Sequence, residues 1–235
     1  LGAALAMGNA CVLKPAAEAC LTALAFARIA QQVGLPAGAI NVVTGLGEEA
    51  GAALASHAGV QHISFTGSVA TGKLIQAAAA KNVVPVTLEL GGKSPQIVFA
   101  DADLDAALPY LVNAGIQNAG QTCSAASRIL VQRQVLDAVR ERMAQRYRSL
   151  RVGSALADLD LGPLISQRQK GVVERYLALA QGAGPRIVAQ GTLAPDAPRG
   201  GHYVRPTLID ELLPTHVLAQ EEVFGPVQVL IAFDG

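Results

Sequence analysis

The sequence predicts an α/β fold in two successive parts, on two observations. From Ala10 to Leu90, short apolar runs alternate with longer Ala-rich stretches, the rhythm of βαβ units around a buried parallel sheet. Gly91-Gly92-Lys93-Ser94-Pro95 then breaks that rhythm before a new strand and helix begin. The first strand is placed at Ala10–Lys14. A crossover helix follows, because Leu21, Leu24, Ala25 and Ile29 recur at helical spacing as one apolar face, with Gly34 and Pro36 as stop signals. Strands at Ile40–Thr44, Gln61–Thr66 and Val84–Leu90 enclose helices near Glu48–Ser56 and Ser68–Ala80, each reached through a glycine-containing loop. The second part begins with strand Gln96–Phe99 and an Asp103-capped helix running to about Asn118. A strand near Arg128–Gln132, a charged amphipathic helix from about Val135 to Leu150, a Pro- and Gly-rich surface segment around Ala183–Gly201 and a strand-like run Val227–Phe233 complete it. The domains are accordingly placed at residues 1–91 and 92–235. Leu1 falls inside a helical stretch and Gly235 directly after a strand, so both ends read as cut.

Composition narrows the function classes. With 51% hydrophobic side chains in 235 residues, the chain can bury a substantial core. Eighteen basic and eighteen acidic residues cancel, and no run of Lys and Arg could neutralise successive phosphates, which disfavours nucleic acid and favours small-molecule partners. The apolar stretch Leu1–Leu13 is interrupted by Gly2, Gly8 and Asn9 and falls short of the roughly 20 residues that cross a bilayer. Three scattered cysteines, Cys11, Cys20 and Cys123, make no disulfide framework and no Cys-x-x-Cys metal pair, and His57, His62, His202 and His216 show no ligand spacing. This usage fits a cytoplasmic protein without a metal centre.

Several positions carry chemistry. Gly45-Leu46-Gly47 with Gly51 approaches the dinucleotide fingerprint G-x-G-x-x-G, but the third glycine falls one place late and no acidic residue ends the next strand. The second turn, Phe65-Thr66-Gly67-Ser68 with Gly72 one turn on, could aim backbone N–H groups and the Ser68 hydroxyl at a pyrophosphate, or could be a tight turn with no ligand. Lys14 closes an apolar strand before Pro15, which brings its ammonium to the carboxyl edge of the sheet, where open α/β sheets bind ligands; the alternative is a solvated surface lysine. Cys123 lies in the small, polar stretch Asn118-Ala119-Gly120-Gln121-Thr122-Cys123-Ser124, unlike the branched apolar surroundings of an inert cysteine, which leaves a reactive and a structural role both open, whereas Cys11 and Cys20 read as packing residues. Glu89 interrupts the apolar strand Val86-Thr87-Leu88-Glu89-Leu90; burial there would raise its pKa toward the range of a general base, and the alternative is a strand-end glutamate turned to solvent.

Together these pieces resemble the aldehyde dehydrogenase superfamily, in its hydrolytic branch, across essentially the whole chain. The matching segments are Val12-Leu13-Lys14-Pro15-Ala16, Asn41-Val42-Val43-Thr44-Gly45, Phe65-Thr66-Gly67-Ser68, Leu88-Glu89-Leu90-Gly91-Gly92-Lys93-Ser94-Pro95, Gly120-Gln121-Thr122-Cys123 and Glu221-Glu222-Val223-Phe224-Gly225-Pro226, in register. The resemblance implies a partial Rossmann-type cofactor domain followed by an α/β catalytic domain. It implies Cys123 as nucleophile and Glu89 as the base of the hydrolytic step, with NAD or NADP held by Lys14, Gly45, Gly67, Ser68, Gly72, Leu90, Glu222 and Phe224. A small aldehyde is the implied substrate, and a dimeric or tetrameric homo-oligomer the implied state of the full-length protein. A CoA-acylating relative, a non-catalytic dinucleotide-binding module and a cysteine hydrolase are the competing readings. The family's Pro-Trp-Asn segment, source of the second oxyanion donor, is expected upstream of Leu1, because the chain has no Trp; the isolated chain is therefore expected to be impaired or inactive.

One departure bears on cofactor choice. NAD-preferring relatives carry a glutamate three residues after the lysine of the Lys-Pro motif, whereas this chain has Ala17 there and Glu18 one place on. A 2′-phosphate meets less repulsion at Ala17. Steady-state kinetics of the full-length enzyme with both cofactors should show substantial turnover with NADP; strict dependence on NAD would contradict this reading.

Overall fold

The computed structural model describes residues 1–181 and 184–234. The chain forms two compact units, Leu1–Leu90 and Gly91–Gly235. The first contains α1 (Gly2–Ala6), β1 (Cys11–Leu13), α2 (Cys20–Gln32), β2 (Ile40–Val42), α3 (Ala52–Ser56), β3 (Ile63–Gly67), α4 (Val69–Ala80) and β4 (Val86–Leu90). The strands form two separate parallel pairs, β1 with β2 and β3 with β4, each strand joined to its partner through a helical connection as parallel pairing requires.

The expected buried sheet is not found in this unit. β1 and β2 are at most half-buried, and the α2 face assigned to the core leaves Leu21 77% and Ile29 56% exposed. A pair of strands is too narrow to cover a 13-residue helix, so its apolar stripe stays in contact with solvent. The helix near Glu48–Ser56 begins as a π-helical turn over Gly47–Gly51 before settling into α3. Cys11 and Cys20 are partly buried free thiols.

The second unit holds β5 (Pro95–Val98), α5 (Leu104–Ile116), β6 (Arg128–Gln132), α6 (Leu136–Ser149), β7 (Arg151–Val152), α7 (Gln167–Leu179), β8 (Arg186–Gln190), β9 (Thr192–Leu193), β10 (Thr207–Asp210), α8 (Val217–Gln220) and β11 (Val227–Phe233). Five strands form one sheet in the order β5-β6-β11-β10-β8, parallel except for the antiparallel β8 edge, while β7 and β9 make a separate parallel pair. The segment read as surface loop around Ala183–Gly201 contains β8 and β9. Arg186-Ile187-Val188-Ala189-Gln190 is a β-branched run whose signal was masked by the glycines and prolines flanking it; Ala183 itself lies outside the described residues.

Asp103 starts α5 by accepting the Asp105 and Ala106 N–H groups at 3.0 and 3.1 Å. The apolar faces of α5 and α6 bury Val112, Val139, Met143 and Tyr147 in one cluster with Ile129, Val131, Leu208, Ile209, Val229 and Leu230 of the sheet. At a burial value near 25 cal/mol per Å² of apolar surface, such a cluster dominates the stability of the unit. No helix among the described residues is long and apolar enough to cross a membrane.

Asp210, at the end of β10, is 4% exposed and is neutralised by Arg140 of α6. Removing the cation strands a buried carboxylate. Arg140→Met should therefore lower stability, read from urea denaturation, by on the order of 2 kcal/mol, whereas Arg133→Met, which breaks the exposed pair with Asp234, should leave the midpoint unchanged.

Candidate functional site

In the first unit Lys14 follows β1, and its ammonium donates to the carbonyls of Pro15 at 2.7 Å and Gly45 at 3.1 Å. The structure thus brings together Lys14 and Gly45, two of the residues expected to hold cofactor. Gly45 has φ +153°, and a Cβ there would meet Ala50 Cβ at 2.7 Å; a Cβ on Gly51 would touch the Lys14 methylenes at 3.5 Å. These glycines let the chain fold over the lysine stem.

Ser68 caps α4: its hydroxyl accepts the Thr71 N–H at 3.2 Å and lies 2.9 Å from Thr71 Oγ1. The hydroxyl expected to face a pyrophosphate is thus already engaged as a cap, while the first turn of α4 still presents N–H groups without intrahelical partners. Gly67 and Gly72 are glycines for steric reasons, since a Cβ would meet the Phe65 ring at 2.6 Å and Leu90 Cδ2 at 2.7 Å respectively. Leu90 is opposite Gly67 in the β3–β4 ladder, so Gly67, Ser68, Gly72 and Leu90 form one group.

Glu89 pairs in register with Thr66, but its side chain is exposed. The burial expected of Glu89 is absent from this chain. β4 alternates strictly, placing Val86, Leu88 and Leu90 on the half-buried side and Glu89 with Thr87 on the other, where the two-stranded sheet has no cover.

In the second unit the chain leaves α5 through Gln117–Gly120, where Asn118, Ala119 and Gly120 take φ values of 50°, 54° and 75°. Three successive left-handed residues turn the backbone sharply. Asn118 and Gln121 brace the turn by exchanging side-chain amide bonds to each other's carbonyls, both at 3.1 Å, and Gln121 Oε1 accepts the Ile165 N–H at 2.9 Å. Cys123 follows, exposed, and its backbone N–H donates to no acceptor among the described residues. The thiol is accessible to a ligand, and the N–H is free to meet an oxyanion.

Glu222 packs against the turn that leads into β5. Its Oε1 accepts the Gly92 N–H at 3.2 Å, and any Cβ on Gly91 would overlap the carboxylate. Phe224 has φ 53°, and Gln169 of α7 holds it there by donating to the Val223 carbonyl at 3.2 Å and the Phe224 carbonyl at 2.8 Å. Glu221 is engaged by the Tyr176 hydroxyl at 2.6 Å, which leaves Glu222 as the acid turned toward the glycines.

Residue-by-residue reading missed Lys93. Its Nζ is buried without a hydrogen-bond partner among the described residues, and burial, reinforced by the Arg128 guanidinium and opposed by Glu222, lowers its pKa to about 8. Gln169, Asn118 and Gln121 were missed as well, because braces formed by amide side chains leave no periodic signature. Among the described residues no group of His, Cys, Asp and Glu could hold a metal ion.

The family model for the aldehyde dehydrogenases matches residues 1–235. A betaine aldehyde dehydrogenase of Cereibacter sphaeroides is 44% identical over 232 residues, covering 98% of this chain and 47% of that protein. Among solved structures, a Burkholderia cenocepacia chain assigned to the aldehyde dehydrogenases superposes with a TM-score of 0.98 at 59% identity, over 100% of this chain and 49% of the other. The betaine aldehyde dehydrogenase of Staphylococcus aureus, solved in complex with NAD+, superposes with a TM-score of 0.92 at 37% identity, over 99% and 46%. The chain spans about half the length of these relatives.

Lys93 supplies a pH test. Its folded pKa of about 8 lies below the ordinary 10.5 of an unfolded chain, so between these values the unfolded state holds more protons. Stability should rise as pH increases from about 8 to 10.5, with the penalty for the buried ammonium fully present below that window. Urea midpoints of the native chain minus those of Lys93→Met should show this rise; a pH-independent difference would contradict it.

Proposed function

The chain belongs to the aldehyde dehydrogenase family, and from that premise we propose that it carries the nucleophile and part of the cofactor site of an enzyme oxidising an aldehyde to a carboxylic acid. The observation that carries this reading is Cys123. It is the exposed cysteine of the three, set on a braced left-handed turn with its N–H unused among the described residues, whereas Cys11 and Cys20 are partly buried.

Each unit offers groups suited to part of a dinucleotide. Lys14 holds an ammonium over the glycine turn, the start of α4 offers N–H groups for a pyrophosphate, and Glu222 with Phe224 would take the nicotinamide riboside. When bound, NAD or NADP supplies the hydride acceptor. Cys123, as thiolate, adds to the aldehyde carbonyl; its own N–H stabilises the oxyanion of the thiohemiacetal, and oxidation leaves a thioester on the sulfur. Glu89 takes a proton from water as the water attacks that thioester, releasing the acid and restoring the thiolate. In this reading residues 1–91 belong to the cofactor domain and 92–235 to the catalytic domain of a homo-oligomeric protein.

In the full-length enzyme, Cys123→Ala should abolish aldehyde-dependent reduction of cofactor, a loss of at least ~10⁴-fold. Glu89→Gln should retain a single burst of reduced cofactor per site while steady-state turnover falls about 10²-fold, with the acyl group recoverable on Cys123 by mass spectrometry. Wild-type turnover accelerated by CoA with formation of acyl-CoA would instead make CoA the acceptor and remove the role given to Glu89.

A further inference from the structure

Among the described residues, the fully buried core of the second unit contains an amide, Gln228, that spends both its N–H donors on α5 and the end of the Cys123 loop and accepts a buried hydroxyl. Gln228 of β11 is 0% exposed. Its Nε2 donates both hydrogens, to the Ala126 carbonyl at 2.6 Å and the Leu111 carbonyl of α5 at 2.9 Å. Its Oε1 accepts the hydroxyl of Tyr147, also 0% exposed, at 2.6 Å. Two carbonyls can be served only by the NH2 end and a hydroxyl donor best by the oxygen, so the amide has one satisfying orientation. Gly115 makes the room: a Cβ there would overlap the Gln228 carboxamide.

Gln228 thereby ties α5, at Leu111, to one end of the loop that carries Cys123. Ala126 closes the stretch that begins at Gly120, and its N–H donates back to Ala114 of α5 at 3.2 Å. Gly120, at the other end, packs so closely on the backbone of Gly225 and Pro226 that any Cβ would collide with it. The loop bearing Cys123 is thus fastened at both ends to the segment 225–228, which directly follows Glu222 and Phe224. Neither attachment involves an ionisable side chain other than the Tyr147 phenol, which burial pushes far above its ordinary pKa and so keeps a donor.

We propose that Gln228 is a positioning residue for Cys123: it sets where the nucleophile loop lies relative to the segment, leading into β11, that carries Glu222 and Phe224. This rests on Cys123 being the nucleophile. The assignment goes beyond the motifs, since Gln228 touches neither thiol nor ligand and acts through the Ala126 carbonyl. Displacing a reacting group by about 1 Å can cost about 10²-fold in rate.

Two variants perturb the clamp by independent routes. Gln228→Met keeps side-chain length and removes the donors to Ala126 and Leu111; Gly115→Ala leaves Gln228 in place and pushes its carboxamide away. Tyr147→Phe is the control, because it removes a buried hydrogen bond yet leaves both carbonyl bonds of Gln228. In the full-length enzyme, Gln228→Met and Gly115→Ala should lower kcat ~10²-fold with KM changed less than about threefold. They should also slow alkylation of Cys123 by iodoacetamide without cofactor by about tenfold, the expected direction when the thiol's supporting turn shifts. Tyr147→Phe should lower Tm while holding the alkylation rate within about twofold of wild type. The proposal is overturned if any folded clamp variant alkylates at the wild-type rate, or if the rate tracks Tm across all three. Failure of either clamp variant to fold leaves the other decisive, and failure of both, with Tyr147→Phe folded, would make Gln228 a stability residue and overturn it. Failure of the Cys123 reading is distinguished with the clamp intact, where it would appear as activity surviving Cys123→Ala and, in wild type, as no preferential labelling of Cys123.

Discussion

Parallel pairing of β5, β6 and β11 is the constraint on which the second unit rests. The ladder aligns Pro95, Arg128 and Val229. Three lead-in segments therefore arrive at one edge of the sheet: the Gly91-Gly92 turn, the loop with Cys123, and Glu222 through Pro226. The Gly92 N–H and the Glu222 carboxylate are 130 residues apart in sequence and meet because their strands run the same way. This is the amino edge of the strands. In the first unit, by contrast, Lys14 and Ser68 follow their strands at the carboxyl edge, the usual ligand side of open α/β sheets.

Shape at the amino edge is maintained against local backbone preference. Asn118, Ala119 and Phe224 all take positive φ, a conformation that costs non-glycine residues roughly 1–2 kcal/mol each. Amides oppose that cost. Asn118 and Gln121 close the first turn on itself, Gln169 grips the carbonyls beside Phe224, and Gln228 grips Ala126. Neutral amides keep these hydrogen bonds across pH and salt.

Most strands and long helices were legible because each carries a simple period: alternation at β4, i, i+3, i+4 spacing at α2, an aspartate cap before α5. β8 was hidden by its flanking glycines and prolines. Burial was harder to read than secondary structure. The face of α2 has the right pattern and stays exposed, and Glu89 has an apolar neighbourhood in sequence and an open one in space, because burial depends on what lies across from a residue. The exposure of Cys123 agrees with its company of small polar residues. Gln228 carried the signal that drew attention to Glu89, a polar residue inside an apolar strand, yet its meaning needed the carbonyls of Leu111 and Ala126, which lie far off in sequence.

Gly91, Gly115 and Gly120 share one property: the space a methyl group would need is already filled, by Glu222, by Gln228 and by the backbone of Gly225 and Pro226. The geometry around the thiol is thus defined partly by atoms that are missing, and such features cannot be graded, since hydrogen is the smallest side chain there is. A change of shape beside the thiol has no small steps available at these three places, whereas Ser124, exposed next to Cys123, is a position where a side chain can grow or shrink without moving the turn beneath it.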